Sequence, residues 1–406
     1  MDTLSKKGKK DEEWISDFLT RGVKEIIEED SVRSKFESGT ILRVKHGVDP
    51  TTSKLHFGYW VVYRKLRKLQ EMGHTIQLLI GTFTAQFGDP SGKTEVRKER
   101  TADEVREVAG DYVKQLAKIL DIQKLTVYWN NDWFGNMKLG DFFRIANHFS
   151  VWRLLERDMF VERKKLGKEI KAPELMYPIL QAYDSVELKS DLTIVGSDQL
   201  FNEIQARNLQ RAYKEEPQDI IALEVLVGLD GEKKMSQSLG NVINIDDEPH
   251  EKFGKIMSMP DHLIPHYFEL LTDKSYKEIE AMKEGMKRGE LNPKDLKEEL
   301  ALVLITELDG KEAAESAQKH FQKVFREKGV PESMKSFVVD KPMILKEIVF
   351  KSGLSESMSE AQRFIEQGAV TLEGKVIEDW KLEVYKKESI ILRVGKRKFI
   401  KLVFNK

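Results

Sequence analysis

Between residues 41 and about 226, short aliphatic and β-branched runs alternate with longer stretches whose apolar positions recur at helical spacing. The runs ILRVKHGV (41–48), TIQLLIG (75–81), LTVYW (125–129), LTIVG (192–196) and IIALEVL (220–226) are predicted as strands. Between the first two, WVVYRKLRKLQEMG sets its apolar residues on one helical face and Lys and Arg on the other, closing at Gly73. Thr101 with Glu104 three residues on predicts a capping box at another helix start. Strands separated by helices pair in parallel only through crossovers, so this stretch is predicted as a doubly wound parallel α/β sheet with ligands at the carboxyl ends of its strands. Residues 1–40 are expected to form a helical extension in front of it.

From about 245 the strand signal is absent until 369, and 251–335 reads as helices punctuated by Pro260, Pro265, Pro293 and Pro331. The tail changes texture again. MILKEIVFKSG predicts an apolar helix, Ser357 and Glu360 a capping box, and AVTLEG and SIILRVGKRKFIKLVF short strands.

Charge matters only locally. Lys plus Arg number 67 against 68 Asp plus Glu, so no global field marks a nucleic-acid partner. Residues 341–406, however, hold 14 basic against 9 acidic side chains. A surplus confined to one small domain fits phosphate contact, and equally a solvated basic surface. There is no Cys, which excludes disulfides, thiolate nucleophiles and Cys-type zinc sites. The lysine-rich start has no apolar stretch behind it and no run of eighteen apolar residues occurs, so the expectation is a cytoplasmic protein without a membrane partner.

Two loops carry candidate chemistry. In GVDPTTSKLHFGYW (47–60), Asp49 and Pro50 turn the chain after the first strand, and Gly58 lies in the first turn of the next helix. A helix start presents free N–H groups to phosphate and His56 adds a donor, although the same residues also suit a plain capping turn. In GLDGEKKMSQSLGN (228–241), Lys233, Lys234, Ser236 and Ser238 make a cationic arm able to fold over a polyphosphate, or a solvated loop. Tyr177, Gln181 and Asp184 form one stripe of a helix that carries Pro178 inside it, which suggests a kink. GTFTAQFGDPSGK (81–93) and IVGSDQ (194–199) end strands and bring Thr84, Asp89, Lys93, Asp198 and Gln199.

The two loops together resemble the HIGH and KMSKS signatures of class I aminoacyl-tRNA synthetases, as His56-Phe57-Gly58-Tyr59 and Lys234-Met235-Ser236-Gln237-Ser238. With the other segments, the chain from about Val44 onward resembles the bacterial tyrosyl-tRNA synthetases. The resemblance implies a Rossmann-like catalytic domain over 41–244 with a dimerisation insertion at about 130–175. An α-helical anticodon-region domain would follow over 245–336, then a small α+β, S-four type RNA-binding domain over 341–406. It implies ATP with Mg²⁺ as substrate, L-tyrosine, tRNA(Tyr), a homodimer, no metal site of the chain's own and no permanently bound cofactor. Activation of tyrosine to tyrosyl-AMP, then its transfer to the 3′ end of the tRNA, would be the reaction.

By position, the resemblance assigns the substrate ammonium to Asp89, Tyr177 and Gln181 and the phenol to Asp184, with Lys45, Gly47, Thr84 and Gln199 beside the amino acid. ATP would meet Asp49, Pro50, Gly58, Tyr59, Gly196, Asp198, Met235, Ser236 and Ser238, with Gly196 and Asp198 at the ribose. Thr51, His56, Lys93, Arg97, Lys233, Lys234 and Gln237 would serve the phosphates, and Arg363, Lys396, Arg397 and Lys398 the RNA. Within the insertion, at about 130–175, Trp133, Phe134, Phe142, Phe143, Phe149, Trp152 and Phe160 cluster and would supply the dimer contact, although core packing alone would also explain them. Three positions depart from the common pattern: Tyr59 and Gln237 in the signatures, and Lys45 where many members place a tyrosine. Rival readings are a tryptophanyl-tRNA synthetase and a non-catalytic RNA-binding relative.

Overall fold

The computed structural model describes residues 12–50, 54–87, 101–323, 336–385, 389–395 and 398–404. It divides into two compact units, Met1–Glu315 and Ser316–Lys406. The first is built on a six-stranded sheet whose members are β1 (Val23–Ile27), β2 (Arg43–Val48), β3 (Thr75–Ile80), β4 (Leu125–Trp129), β5 (Leu192–Gly196) and β6 (Asp219–Leu223). Their order is β1-β6-β5-β2-β3-β4. β2 pairs in parallel with β3 on one side and β5 on the other, and β3–β4 and β5–β6 are parallel too. Helices cover both faces, which is why β3 and β6 are almost continuously apolar and buried.

The five expected strands are all present. The helix Phe57–Glu71 buries Trp60, Tyr63, Leu66 and Leu69 and is closed by Gly73 at φ 89°, a left-handed conformation that favours glycine. The Thr101–Glu104 capping box forms as predicted, each side chain accepting from the other's backbone. The helix Ala172–Leu188 runs on through Pro178.

The extension over 1–40 is not purely helical. Between its helices, β1 joins the sheet antiparallel to β6, so the sheet is mixed rather than wholly parallel. VKEII hides this strand: two charged residues interrupt its short apolar pattern, and those charges suit an exposed edge. The extension is tied down by Asp219, whose Oδ2 accepts from Ser31 Oγ at 2.9 Å and from Lys35 Nζ at 2.8 Å, while Oδ1 lies 3.5 Å from Arg207.

After the sheet come the helices Pro249–Ser258, Ile264–Leu271, Tyr276–Lys287, Pro293–Asp309 and Lys311–Phe321. Pro260, Pro265 and Pro293 stand at helix starts, where the missing N–H costs nothing. Pro331 lies outside the described residues. No helix among the described residues is long and apolar enough to cross a membrane.

The second unit packs the helices Leu345–Lys351 and Met358–Glu366 with two sheets around a core that includes Leu345, Ile348, Ile365, Leu392 and Leu402. Its larger sheet joins Ser336–Val339, Val370–Leu372, Lys375–Val376, Ile390–Val394 and Lys398–Phe404; the smaller pairs Met343–Ile344 with Glu383–Val384. Two expectations change here. Strands begin at Ser336 and Met343, well before 369, because SFVV takes its partner from Lys401–Phe404, a pairing no local pattern announces. The capping box is half formed: Ser357 Oγ accepts from Glu360 N–H, but the Glu360 carboxylate accepts from Glu356 N–H at 2.6 Å.

Asp219→Asn leaves buried Arg207 and half-buried Lys35 short of charge. It is expected to lower unfolding stability by about 3 kcal/mol, read as a shift of the urea midpoint.

Candidate functional site

The connection from β2 runs to β3 and that from its other neighbour, β5, runs the opposite way to β6, so a crevice opens at the carboxyl ends of β2 and β5. The first of the loops singled out from the sequence is joined beside it, by backbone pairing, to the segment that directly follows the second. Phe57 N–H donates to Ile243 O at 2.9 Å and Ile245 N–H to Leu55 O at 2.8 Å, with His56 bridging Asn244. A Cβ on Gly58 would stand 2.9 Å from the His56 ring and 3.7 Å from Met235 Cβ, so the first turn of the helix faces the second loop with no side chain between.

His56 caps its helix, Nδ1 accepting from Gly58 N–H at 3.1 Å. Burial first, and the Lys234 charge second, push its pKa down to about 4. It is therefore neutral near pH 7 with its proton on Nε2, a fixed donor. Tyr59 lies against the same ring, centroids 4.5 Å apart. In the second loop, Lys234 Nζ donates to Asp198 Oδ2 at 2.7 Å. Ser236 N–H donates to Asn241 Oδ1 and its hydroxyl lies 3.1 Å from that of Ser238. Gln237 Nε2 donates to Asn244 Oδ1 at 2.5 Å, and Asn244 Nδ2 donates in turn to Asp247. Lys233 is exposed.

On the other side of β2 a buried polar chain runs across the helix stripe. Asp49 accepts from Tyr177 Oη at 2.9 Å and from Thr84 Oγ1 at 2.8 Å, and Thr84 accepts from Asn130 Nδ2 at 3.0 Å. Asp184, 3% exposed, accepts from Trp133 Nε1 at 3.0 Å and from Asn130 at 3.4 Å. Burial pushes its carboxyl well above the ordinary carboxylate range, against the pull of Lys45 and of these donors. Gln181 donates to Glu203 Oε1 at 2.8 Å and accepts from Asn202 Nδ2 at 2.7 Å; Asn202 also reaches Gln199 Oε1 at 3.2 Å. The backbone must stay bare beneath this chain: a Cβ at Gly81 would fall 1.9 Å from Asp49 Oδ1.

Comparison with known proteins bears on this arrangement directly. The family model for class I tRNA synthetases of the tryptophan and tyrosine group matches residues 37–326, and the S4 domain model matches 345–384. The tyrosine–tRNA ligase of Carboxydothermus hydrogenoformans is 42% identical over 401 residues, covering 96% of this chain and 98% of that protein. That of Thermotoga maritima is 42% identical over 384 residues, covering 95% and 96%. The chain belongs to the tyrosine–tRNA ligase family. The Archaeoglobus fulgidus tyrosyl-tRNA synthetase crystallised with L-tyrosine aligns with this ligase at a TM-score of 0.60 and 26% identity, over 74% of this chain and 97% of that one. A truncated Aspergillus nidulans mitochondrial enzyme shares the fold at a TM-score of 0.62 and 19% identity, over 77% and 94%.

Within the ligase, Tyr177, Gln181 and Asp184 come together with Thr84, and His56, Gly58 and Met235 with one another. Asp198 sits with Lys234, and Gly196 is tight against it, since a Cβ there would lie 2.8 Å from Asp198 Oδ1. Pro50 is buried just after β2, and Gly47 is exposed on it. Asp49, grouped with ATP from the sequence, bridges Tyr177 and Thr84. Lys45 is sealed in an ion pair with Glu203 rather than presented at the surface of the crevice. Trp133, expected at a dimer contact, turns inward to Asp184. In the second unit, Arg363 is exposed while Lys398 Nζ donates to Leu354 O at 2.9 Å. Thr51, Asp89, Lys93, Arg97, Lys396 and Arg397 lie outside the described residues. Glu203, Asn202 and Asn130 were missed, and Trp133 had been given a different role. Asn202 and Glu203 follow IVGSDQ by one helical turn, and that spacing was the available signal.

Gly81→Ala is expected to leave the fold intact by circular dichroism while displacing Asp49 and Tyr177, and to cut amino-acid activation about a hundredfold. His56 and His46 both have pKa values pushed down by burial to about 4. The unfolded chain binds their protons below about 6.5 and the folded chain only near 4, so stability is expected to fall as pH drops through that window. His56→Asn should flatten the decline in pH-dependent urea unfolding.

Proposed function

We infer that this tyrosine–tRNA ligase activates L-tyrosine in the crevice at the end of β2 and passes it from tyrosyl-AMP to tRNA(Tyr). The observation carrying the residue assignment is the polar stripe of the helix Ala172–Leu188: the buried Asp184 carboxyl, with Gln181 and Tyr177 one and two helical turns away. Asp184 accepts a hydrogen bond from the phenol hydroxyl, which a phenylalanine ring leaves unmatched and a tryptophan ring overfills. Gln181, Tyr177 and, by the resemblance, Asp89 hold the ammonium.

ATP enters with Mg²⁺ as substrate. Gly58 lets its phosphates approach the helix start, and neutral His56 donates from Nε2. Asp198 and Gly196 take the ribose. The Lys234–Asp198 pair is half exposed and worth at most about 1 kcal/mol, so the arriving ribose displaces Lys234 toward the phosphates at little cost. The tyrosine carboxylate attacks the α-phosphorus in line; the P–O bond to pyrophosphate breaks, and Lys233, Lys234, Lys93 and Arg97 take up the charge on the leaving group. No side chain is acylated.

The second unit contacts the tRNA, with Arg363, Lys396, Arg397 and Lys398 as the basic contributors. The ligase works as a cytoplasmic homodimer. Leu139, Phe143, Val151 and Trp152 project from the insertion, Trp152 at 77% exposure, and form an apolar surface that a second subunit would cover.

ATP–pyrophosphate exchange by the purified chain tests the assignment, with tyrosine, tryptophan and phenylalanine compared. Exchange is expected with tyrosine alone, and Asp184→Asn should raise the tyrosine KM about tenfold or more with the ATP KM unmoved. Equal loss of both would count against Asp184.

A further inference from the structure

Beneath the amino-acid crevice lies an ion pair that the reaction as described does not use. Lys45 Nζ stands 2.8 and 3.1 Å from the two carboxylate oxygens of Glu203 and 2.6 Å from Ser185 Oγ, with both charged side chains almost wholly buried. Glu203 Oε2 also accepts from Gln218 Nε2 at 2.7 Å, and Oε1 from Gln181 Nε2 at 2.8 Å. Such a pair recovers at best its own desolvation cost, and apolar side chains of similar volume would hold the sheet as well. Stability alone gives no reason for it.

The reason lies in what a carboxylate can do. It accepts and never donates, so the NH₂ end of the Gln181 amide must face Glu203. The carbonyl end is then turned to Asn202 Nδ2, 2.7 Å away, with one lone pair left over. A flipped amide would offer an arriving ammonium a second donor, which it would repel. We propose that Glu203 is a positioning residue for the substrate ammonium: it locks the Gln181 amide so that an acceptor, not a donor, meets the amino group. Lys45 supplies the counter-charge, 2.8 Å from Glu203 Oε2. The proposal rests on the tyrosine-site assignment above and adds to it a residue that contacts no substrate atom.

Glu203→Gln reverses the logic. Its single amide oxygen goes to the Lys45 ammonium, its NH₂ turns to Gln181, and the Gln181 amide flips. The test is competition in tyrosine-dependent ATP–pyrophosphate exchange by the full chain, using two analogues. Tyramine keeps phenol and ammonium; 3-(4-hydroxyphenyl)propionate keeps phenol and carboxylate but has no ammonium. In Glu203→Gln the inhibition constant of tyramine should rise about tenfold or more, while that of the propionate and the ATP KM stay within about twofold. Equal weakening of both analogues would show a merely structural role and overturn the proposal. If the single variant does not fold, Lys45→Met with Glu203→Met replaces the pair by apolar side chains and reads the same ratio: tyramine selectively weakened supports the proposal, tyramine unaffected overturns it. A wild-type chain that exchanges with tyrosine yet binds both analogues alike would instead sink the ammonium assignment of Gln181 itself.

Discussion

Everything that the site does depends on β2 being paired in parallel on both sides. A parallel neighbour demands a crossover, and the connection that leaves β2 runs to β3 while the one that leaves β5 runs to β6 on the other side, so the loops at the carboxyl ends of these two neighbouring strands splay apart. Into that gap β2 sends Asp49, β3 sends Gly81 and Thr84, and β5 sends Gly196 and Asp198. The amino-acid side is built from buried, mutually bonded polar groups, and the nucleotide side from half-exposed ones. Buried groups hold one geometry because any unpaired member is costly. Exposed ion pairs exchange partners cheaply. The first suits selection of one side chain, and the second suits a polyphosphate that arrives, reacts and leaves.

The polar chain under the amino-acid crevice has a consistent internal logic. Glu203 accepts from Lys45, Gln181 and Gln218, whereas Asp184 accepts from Trp133 and, at 3.4 Å, from Asn130. Burial raises the Asp184 pKa, and those two donors and the Lys45 charge offset it only in part. A phenol hydroxyl satisfies the carboxyl without bringing a charge into the interior. Lys45, the nearest cation of the floor, is committed to Glu203 and Ser185, so it biases Asp184 toward ionisation through space rather than by contact.

Much of this was legible in the sequence because it is local. Strand runs, helix caps at Thr101 and Gly73, the two loops and the Tyr177–Gln181–Asp184 stripe all declare themselves within a dozen residues. What was not legible is non-local or ambiguous in sign. β1 and the strand at Ser336 exist only because β6 and the last strand supply partners far along the chain. Trp133 looked like one more aromatic of an interface, since sequence distinguishes an outward indole from an inward one only by its hydrogen-bond partner, Asp184, fifty-one residues on. Lys45 was placed beside the substrate because it stands where many members have a tyrosine, while its counter-ion lies on another element, 158 residues away.

The departures at Tyr59 and Gln237 acquire a physical account from the same comparison of buried and exposed groups. A lysine at 237 would be a second mobile cation on the loop; Gln237 instead donates to Asn244, which Asp247 fixes and Lys255 in turn balances at 2.5 Å. Asn241 adds bonds to Asp230, to Ser236 N–H and to Lys234 O, and a Cβ at Gly228 would fall 2.2 Å from its Nδ2. This loop is therefore shaped by neutral amides before any ligand arrives, with its cations concentrated at Lys233 and Lys234. Pre-shaping removes part of the ordering entropy that a freely moving arm would lose on closing over the phosphates. Tyr59 follows the same pattern: packed on the His56 ring, it holds the imidazole in place rather than offering a second titratable donor, so the donor that remains is neutral, fixed and single.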